Sequence, residues 1–255
     1  MSGANRAQPP TGSGRLKGGK GEKFVAAWRT GLAAAAVVAM ATSSPAAAES
    51  ARELLTQASF ADRDKAVALG RVDNAFRFAS AALRSQPSDA EARLMQATAL
   101  GYRAKLTGSR AQAIEARKAF ESLVQRNPRD AEAQLALGAW HIGAVYRLGR
   151  LVGRAALGAQ KPAGFAALDQ AISLGGNRAL FTGLAALLRL QMDPSDQRGR
   201  VLAETAARGA TPTALDRILQ RAAVQVLVPL RAGNAAAAKT LAARLLPFGQ
   251  LPGES

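Results

Sequence analysis

The stretch Pro87-Ser88-Asp89-Ala90-Glu91-Ala92-Arg93-Leu94 recurs 41 residues later as Pro128-Arg129-Asp130-Ala131-Glu132-Ala133-Gln134-Leu135, with six of eight positions identical. Each proline ends a helix, because its ring cannot continue one. The aspartate two positions on is placed to cap the next helix by accepting from its free backbone amides. The glutamate that follows then faces the positive end of that helix dipole. Ahead of each proline, small or apolar residues recur at steps of four and three: Ala75, Ala79 and Ala82 before Pro87, and Ala116, Phe120 and Leu123 before Pro128. A weaker copy, Gly164, Leu168 and Ala171, precedes Gly175-Gly176. That spacing sets each trio on one helical face. The chain therefore reads as repeated helical hairpins, whose apolar faces are buried only by stacking on neighbours.

Over roughly residues 70–180 the pattern resembles the tetratricopeptide repeat (TPR) superfamily. Ala116, Phe120 and Pro128 match the small, larger apolar and proline positions of the second helix, and Leu137-Gly138 matches the Leu-Gly pair of the first. Leu123 is larger than the family's usual small residue, and His141 stands where the family prefers an aromatic. The repeats exceed the family's usual length of about 34 residues, so insertions are expected at 102–110 and 148–162. The resemblance implies an all-α, right-handed α-solenoid with a groove lined by the first helices of the pairs.

Further along, residues 179–191 read as an apolar helix, and Asp193-Pro194-Ser195 as a turn and cap. Residues 201–208 follow, stopped by Gly209, the residue type that most easily takes a left-handed cap. Thr211-Pro212 opens another helix with proline at the tolerated first position, and Gly233-Asn234 separates it from 235–246. The run Val224-Gln225-Val226-Leu227-Val228 has the β-branched content of a strand, but lacks a partner strand and is read as buried helix. With 50–84 as the opening pair, about five hairpins are expected in a domain spanning 49–248, with a flexible tail at 249–255.

Residues 1–48 have a different character. Six bases and one acid lie among Gly, Ser and Pro, followed by ten uncharged residues from Leu32 to Ala41, a break at Pro45 and the small residues Ala46, Ala47 and Ala48. This order is that of a secretory signal peptide, cleaved before Glu49. Ten mostly alanine residues are too few to cross about 30 Å of hydrocarbon, so no transmembrane segment is expected in the mature chain, which is placed in the periplasm or outside the cell. The glycines Gly14 and Gly19 with Lys20 mimic a phosphate loop, but Gly21 replaces the Ser or Thr that binds magnesium and no strand precedes it.

Composition narrows the chemistry. There is no cysteine and one histidine, which excludes disulfides, thiolate metal sites and multi-histidine metal sites. No nucleophile–base or metal constellation is spaced for catalysis, so neither enzymatic activity nor a cofactor is expected. Beyond residue 48 the chain keeps 28 bases against 17 acids, a net +11, which favours acidic partners. With two Trp and two Tyr in the whole chain, base stacking has little to build on, and nucleic acid is not expected as a partner.

His141 is read as a packed or partly exposed helix residue, Trp140 and Tyr146 as core or inter-repeat packing, and Asp193 and Asp196 as caps. The expected function is an exported, non-enzymatic scaffold that binds a protein or peptide in the cell envelope. The alternative is a substrate-handling accessory of an envelope transport system. By the resemblance, the groove is lined at Glu91, Leu94, Thr98, Gly101 and Tyr102 and again at Glu132, Leu135, Ala139, Ile142 and Gly143. Arg103, Arg147 and Arg150 lie close in sequence and would favour an acidic ligand through charge-assisted hydrogen bonds. Packing is expected to depend on Ala116, Phe120 and Leu137.

Overall fold

The computed structural model describes residues 50–252. The signal peptide expected at 1–48 and the last three residues of the chain lie outside the described residues. Eleven helices and no strands are found among the described residues: α1 (Ala51–Phe60), α2 (Lys65–Ser85), α3 (Ala90–Thr107), α4 (Arg110–Arg126), α5 (Ala131–Leu148), α6 (Arg150–Leu157), α7 (Lys161–Leu174), α8 (Ala179–Met192), α9 (Gln197–Ala206), α10 (Ala214–Arg231) and α11 (Ala235–Leu245). The protein is all-α.

Local chemistry explains where the helices begin. Asp89 accepts from the Ala92 amide, and its repeat partner Asp130 accepts from the amides of Glu132 and Ala133. Ser50 with Glu53, and Thr213 with Asp216, close reciprocal capping boxes. Asp193 instead holds the turn before α9 by accepting from Ser195, leaving Asp196 as the cap. Pro212 precedes the N-cap Thr213 and stays outside α10, two residues before the first helical position, where its sequence signal placed it.

Helices adjacent in sequence pack side by side, α1 on α2, α3 on both α2 and α4, α5 on α4, α8 on α9 and α10 on α9, while α5 also packs on α7 and α8 on α10 across one intervening helix. The trios of the repeat supply the contacts. Ala75, Ala79, Ala116, Phe120, Leu168 and Ala171 are all buried. The tightest approach is between α5 and α7. A Cβ at Gly138 would lie 2.8 Å from Leu168 Cγ and 2.9 Å from the Gly164 carbonyl oxygen, so a side chain there would hold the helices apart.

Helix α8 is largely apolar and enclosed, with twelve of its fourteen residues buried. It is contacted by α5, α7, α9, α10 and α11, which is the setting in which a helix dispenses with a polar face. Residues 224–228 lie within α10, but they are not uniformly buried. Val226 and Leu227 face the core while Val224 and Val228 are exposed, as helical spacing requires. Gly209 does not form a left-handed cap after α9. It is needed because a Cβ would meet the Ala179 backbone at 3.0 Å, where residues 177–179 and 210 exchange hydrogen bonds.

The end of the chain turns back across the fold. Helix α11 packs on α8 as well as α10. Residues 246–251 then reach the first helices, where Phe248 and Leu251 join the apolar cluster of Leu54, Val72, Leu94 and Phe120. Gly249 and Leu251, assigned by their sequence to a flexible tail, are buried.

Candidate functional site

Two arrangements along the first helices are chemically distinctive. The first is the seat of the C-terminal segment. The Phe248 amide donates to the Ser59 carbonyl at 2.8 Å, and Lys105 Nζ donates to the Pro247 carbonyl at 2.7 Å. The Phe248 ring stands edge-on to Tyr102 with centroids 4.9 Å apart, and the Lys105 ammonium lies over it at 5.7 Å. The enclosed Tyr102 hydroxyl is pushed up to about 12 by burial, partly offset by its hydrogen bond with Ser59. Among the described residues, Phe248 is the sole non-glycine with positive φ, at 63°. That conformation costs about 1–3 kcal/mol and persists only where surrounding contacts hold it.

The second arrangement is a line of ionic contacts drawn from five separate elements. Arg52 on α1 reaches Glu91 on α3 at 2.6 Å and Glu132 on α5 at 2.7 Å. Arg178, at the start of α8, reaches Glu132 at 3.1 Å and Asp216 of α10 at 3.0 Å. Asp216 has no exposed surface, and also accepts from the Leu180 amide and the Thr213 hydroxyl. Burial pushes its carboxyl up, but Arg178, Thr213 and Leu180 outweigh that and hold it below the usual carboxylate range. Glu91 and Glu132 occupy the same position of the repeated octapeptide, so the recurring sequence places like side chains along one edge. Beside this line lies an open cleft of about 380 Å³, reached by Arg52, Glu91, Leu94, Glu132, Arg178 and Phe181. Its charges are already paired with one another, so it is not a ready anion site.

The residues expected to line one groove are separated. Tyr102 meets the C-terminal segment, and Leu94 lines the cleft with Glu91 and Glu132. Thr98 donates its hydroxyl to the Leu94 carbonyl on its own helix. Arg103 turns towards α2 and pairs with Asp73 at 3.4 Å. Leu135 is buried in the core. Ile142 is fully buried, and its side chain lies against Gly164 of α7, so it offers no surface to a ligand. Gly101 likewise faces Ala116 and Phe120 of α4. Arg147 and Arg150 lie at the far end of α5 and the start of α6, both exposed. Tyr146 is exposed rather than packed between helices, whereas Trp140 is partly buried against the core.

His141 is buried, with Trp140 edge-on at 5.1 Å. Its Nδ1 accepts from the Gln160 amide at 3.3 Å. Burial, with Arg117 nearby, lowers its pKa to about 4. Arg189, also buried, pairs with Asp169 and Asp196 and stacks on Phe165 at 4.3 Å, a contact set that ties α8 to α7 and α9. Sequence reasoning missed Lys105, Ser59 and the whole 246–251 segment. The one signal available was Leu246-Pro247-Phe248, an apolar aromatic stretch beyond the last helix.

Comparison with known protein families, with curated proteins and with solved structures found no match.

Proposed function

We propose that the chain is an exported, non-enzymatic scaffold, a TPR-like right-handed α-solenoid of about five hairpins that binds a protein or peptide in the cell envelope. Support for the architecture comes from the sequential packing of paired helices, the close approach at Gly138 and the equivalent placement of Glu91 and Glu132.

The observation that carries the binding function is the seat of residues 246–251. A stretch of backbone beyond the last helix is held there by one main-chain hydrogen bond to Ser59, one bond from the Lys105 side chain and one aromatic anchor. Peptide-binding surfaces work in this way, with backbone bonds supplying affinity and side-chain pockets supplying selectivity. Residues 246–251 thus serve as a template for the ligand: a short segment with an aromatic residue after proline. Tyr102 and Lys105 are the recognition residues in this reading.

The test is a labelled peptide of sequence Leu-Pro-Phe-Gly-Gln-Leu, measured by fluorescence anisotropy. It should bind the Phe248→Ala chain, whose own anchor is gone, more tightly than the unaltered chain. Adding Tyr102→Ala should abolish that gain. Absence of binding to the folded Phe248→Ala chain would overturn the reading. Capture of the mature chain's partners from its own cell envelope, with and without Tyr102→Ala, would then identify the natural ligand.

A further inference from the structure

The end of α5 and helix α6 expose apolar side chains beside basic ones. Leu151 is 82% exposed, Val152 56%, Tyr146 41% and Leu148 38%, four of the nine exposed large hydrophobic residues described. Leaving such groups in water is unfavourable unless something covers them. Helix α6 is amphipathic in an unusual sense. Gly153 and Leu157, four residues apart, face inward and anchor it. Leu151 and Ala155 form the opposite row, with Val152 beside them, while Arg150 and Arg154 form a row on one flank. A solvated helix would carry its polar residues on the outermost row; here that row is apolar.

The charge around this surface is mostly of one sign. Between Glu132 and Asp169 the chain holds no acidic residue, while Arg147, Arg150, Arg154 and Lys161 lie within that stretch. The neighbouring α4 adds Arg110, whose Nε donates to the Ala156 carbonyl, and Arg117. Its acids are Glu115 and Glu121, and Glu121 is paired with Arg117 at 3.5 Å.

We propose that Tyr146, Leu148 and α6 form a docking surface for an anionic phospholipid leaflet. Leu151 and Val152 enter the boundary between headgroups and acyl chains, while Arg150 and Arg154 contact lipid phosphates. A short helix with an apolar outer row and flanking arginines suits a membrane interface. Leu151, at 82% exposure, stands out from the surface, which suits insertion between lipid headgroups better than a grip on an acidic peptide. No helix among the described residues is long and apolar enough to cross a membrane, so the attachment is peripheral. This inference is independent of the peptide seat, which lies on α1 and α3.

Cosedimentation of the full chain with vesicles of phosphatidylcholine, with or without phosphatidylglycerol, tests it. The segment 1–48 is common to every variant, so differences between variants report on this surface. Leu151→Asp with Val152→Asp should weaken binding to anionic vesicles at least ~10-fold, with circular dichroism unchanged because both side chains are exposed. Arg150→Ala with Arg154→Ala should cost about fivefold per arginine, and less at high salt. Equal binding of all folded variants to anionic vesicles would overturn the proposal, as would equal binding to neutral and anionic vesicles. Binding of polyglutamate that survives Leu151→Asp, without vesicle binding, would overturn it in favour of a protein partner.

Discussion

Between about pH 7.5 and 5, above the range in which the carboxylates titrate, lowering the pH should act on this fold through one imidazole. His141 is the single histidine, so its titration is assignable without ambiguity. It is buried, its Nδ1 accepts the Gln160 amide at the start of α7, and Arg117 lies nearby. Protonation would replace that acceptor with a donor facing another donor, and set a positive charge against the positive end of the α7 dipole. The folded pKa is accordingly depressed to about 4, first by burial and then by Arg117. A depressed basic group favours its neutral form in the folded state. Its contribution is therefore complete above the unfolded pKa of about 6.5 and is lost as pH falls towards 4. At about pH 5 the separation from 6.5 corresponds to a loss of about 2 kcal/mol, rising to roughly 3 kcal/mol near pH 4. Urea denaturation at about pH 7.5 and about pH 5 measures the loss directly, and the imidazole proton resonance reports the folded pKa. His141→Gln, which cannot titrate, should flatten the stability profile over that interval. An imidazole titrating near 6.5 in the folded protein, or a profile unchanged in the variant, would refute the reasoning.

Phe120→Ala removes a buried ring packed on Gly101 and should destabilise the protein by about 3–5 kcal/mol; an unchanged melting temperature would show that the packing is misassigned. Arg178→Met leaves Asp216 buried without its charged partner and should cost about 3 kcal/mol. Arg52→Ala, whose partner Glu91 is half exposed, should cost about 1 kcal/mol or less. Denaturation of the two variants side by side checks that order, and equal losses would contradict the burial argument. N-terminal sequencing of protein recovered from its native envelope should begin at Glu49, and an intact leader on cytosolic protein would exclude export.

The helical plan was legible in the sequence wherever local chemistry decides the outcome. Asp89 and Asp130 cap because an aspartate just ahead of a helical run can accept from its free first-turn amides, and Phe120 and Leu168 are buried because they fall on the apolar face that their spacing sets. Groove positions were less legible. They were counted along a repeat of standard length, but α3 runs on to Thr107 and α5 to Leu148 before their partners begin. Which side of these longer helices meets the partner is settled by packing. Ile142 thus turned towards Gly164, and Arg103 towards Asp73. Nor does any periodicity mark residues 246–251, whose position depends on contacts with residues far back in the sequence. Lys105 is 142 residues from Pro247.

Those distant contacts govern how the chain comes together. In an open array of hairpins each end answers only to its neighbour, and the terminal pair can fray while the rest stays folded. Here Phe248 and Leu251 lie in the same apolar cluster as Leu54 and Val72. The first core to be synthesised is therefore incomplete until residue 251 has arrived. Closing so long a loop is slow relative to forming local hairpins. Once closed, the two ends protect one another, so unfolding should proceed as a single event. In a nascent chain of this kind the first helices keep an open apolar seat until residues 248–251 emerge to fill it.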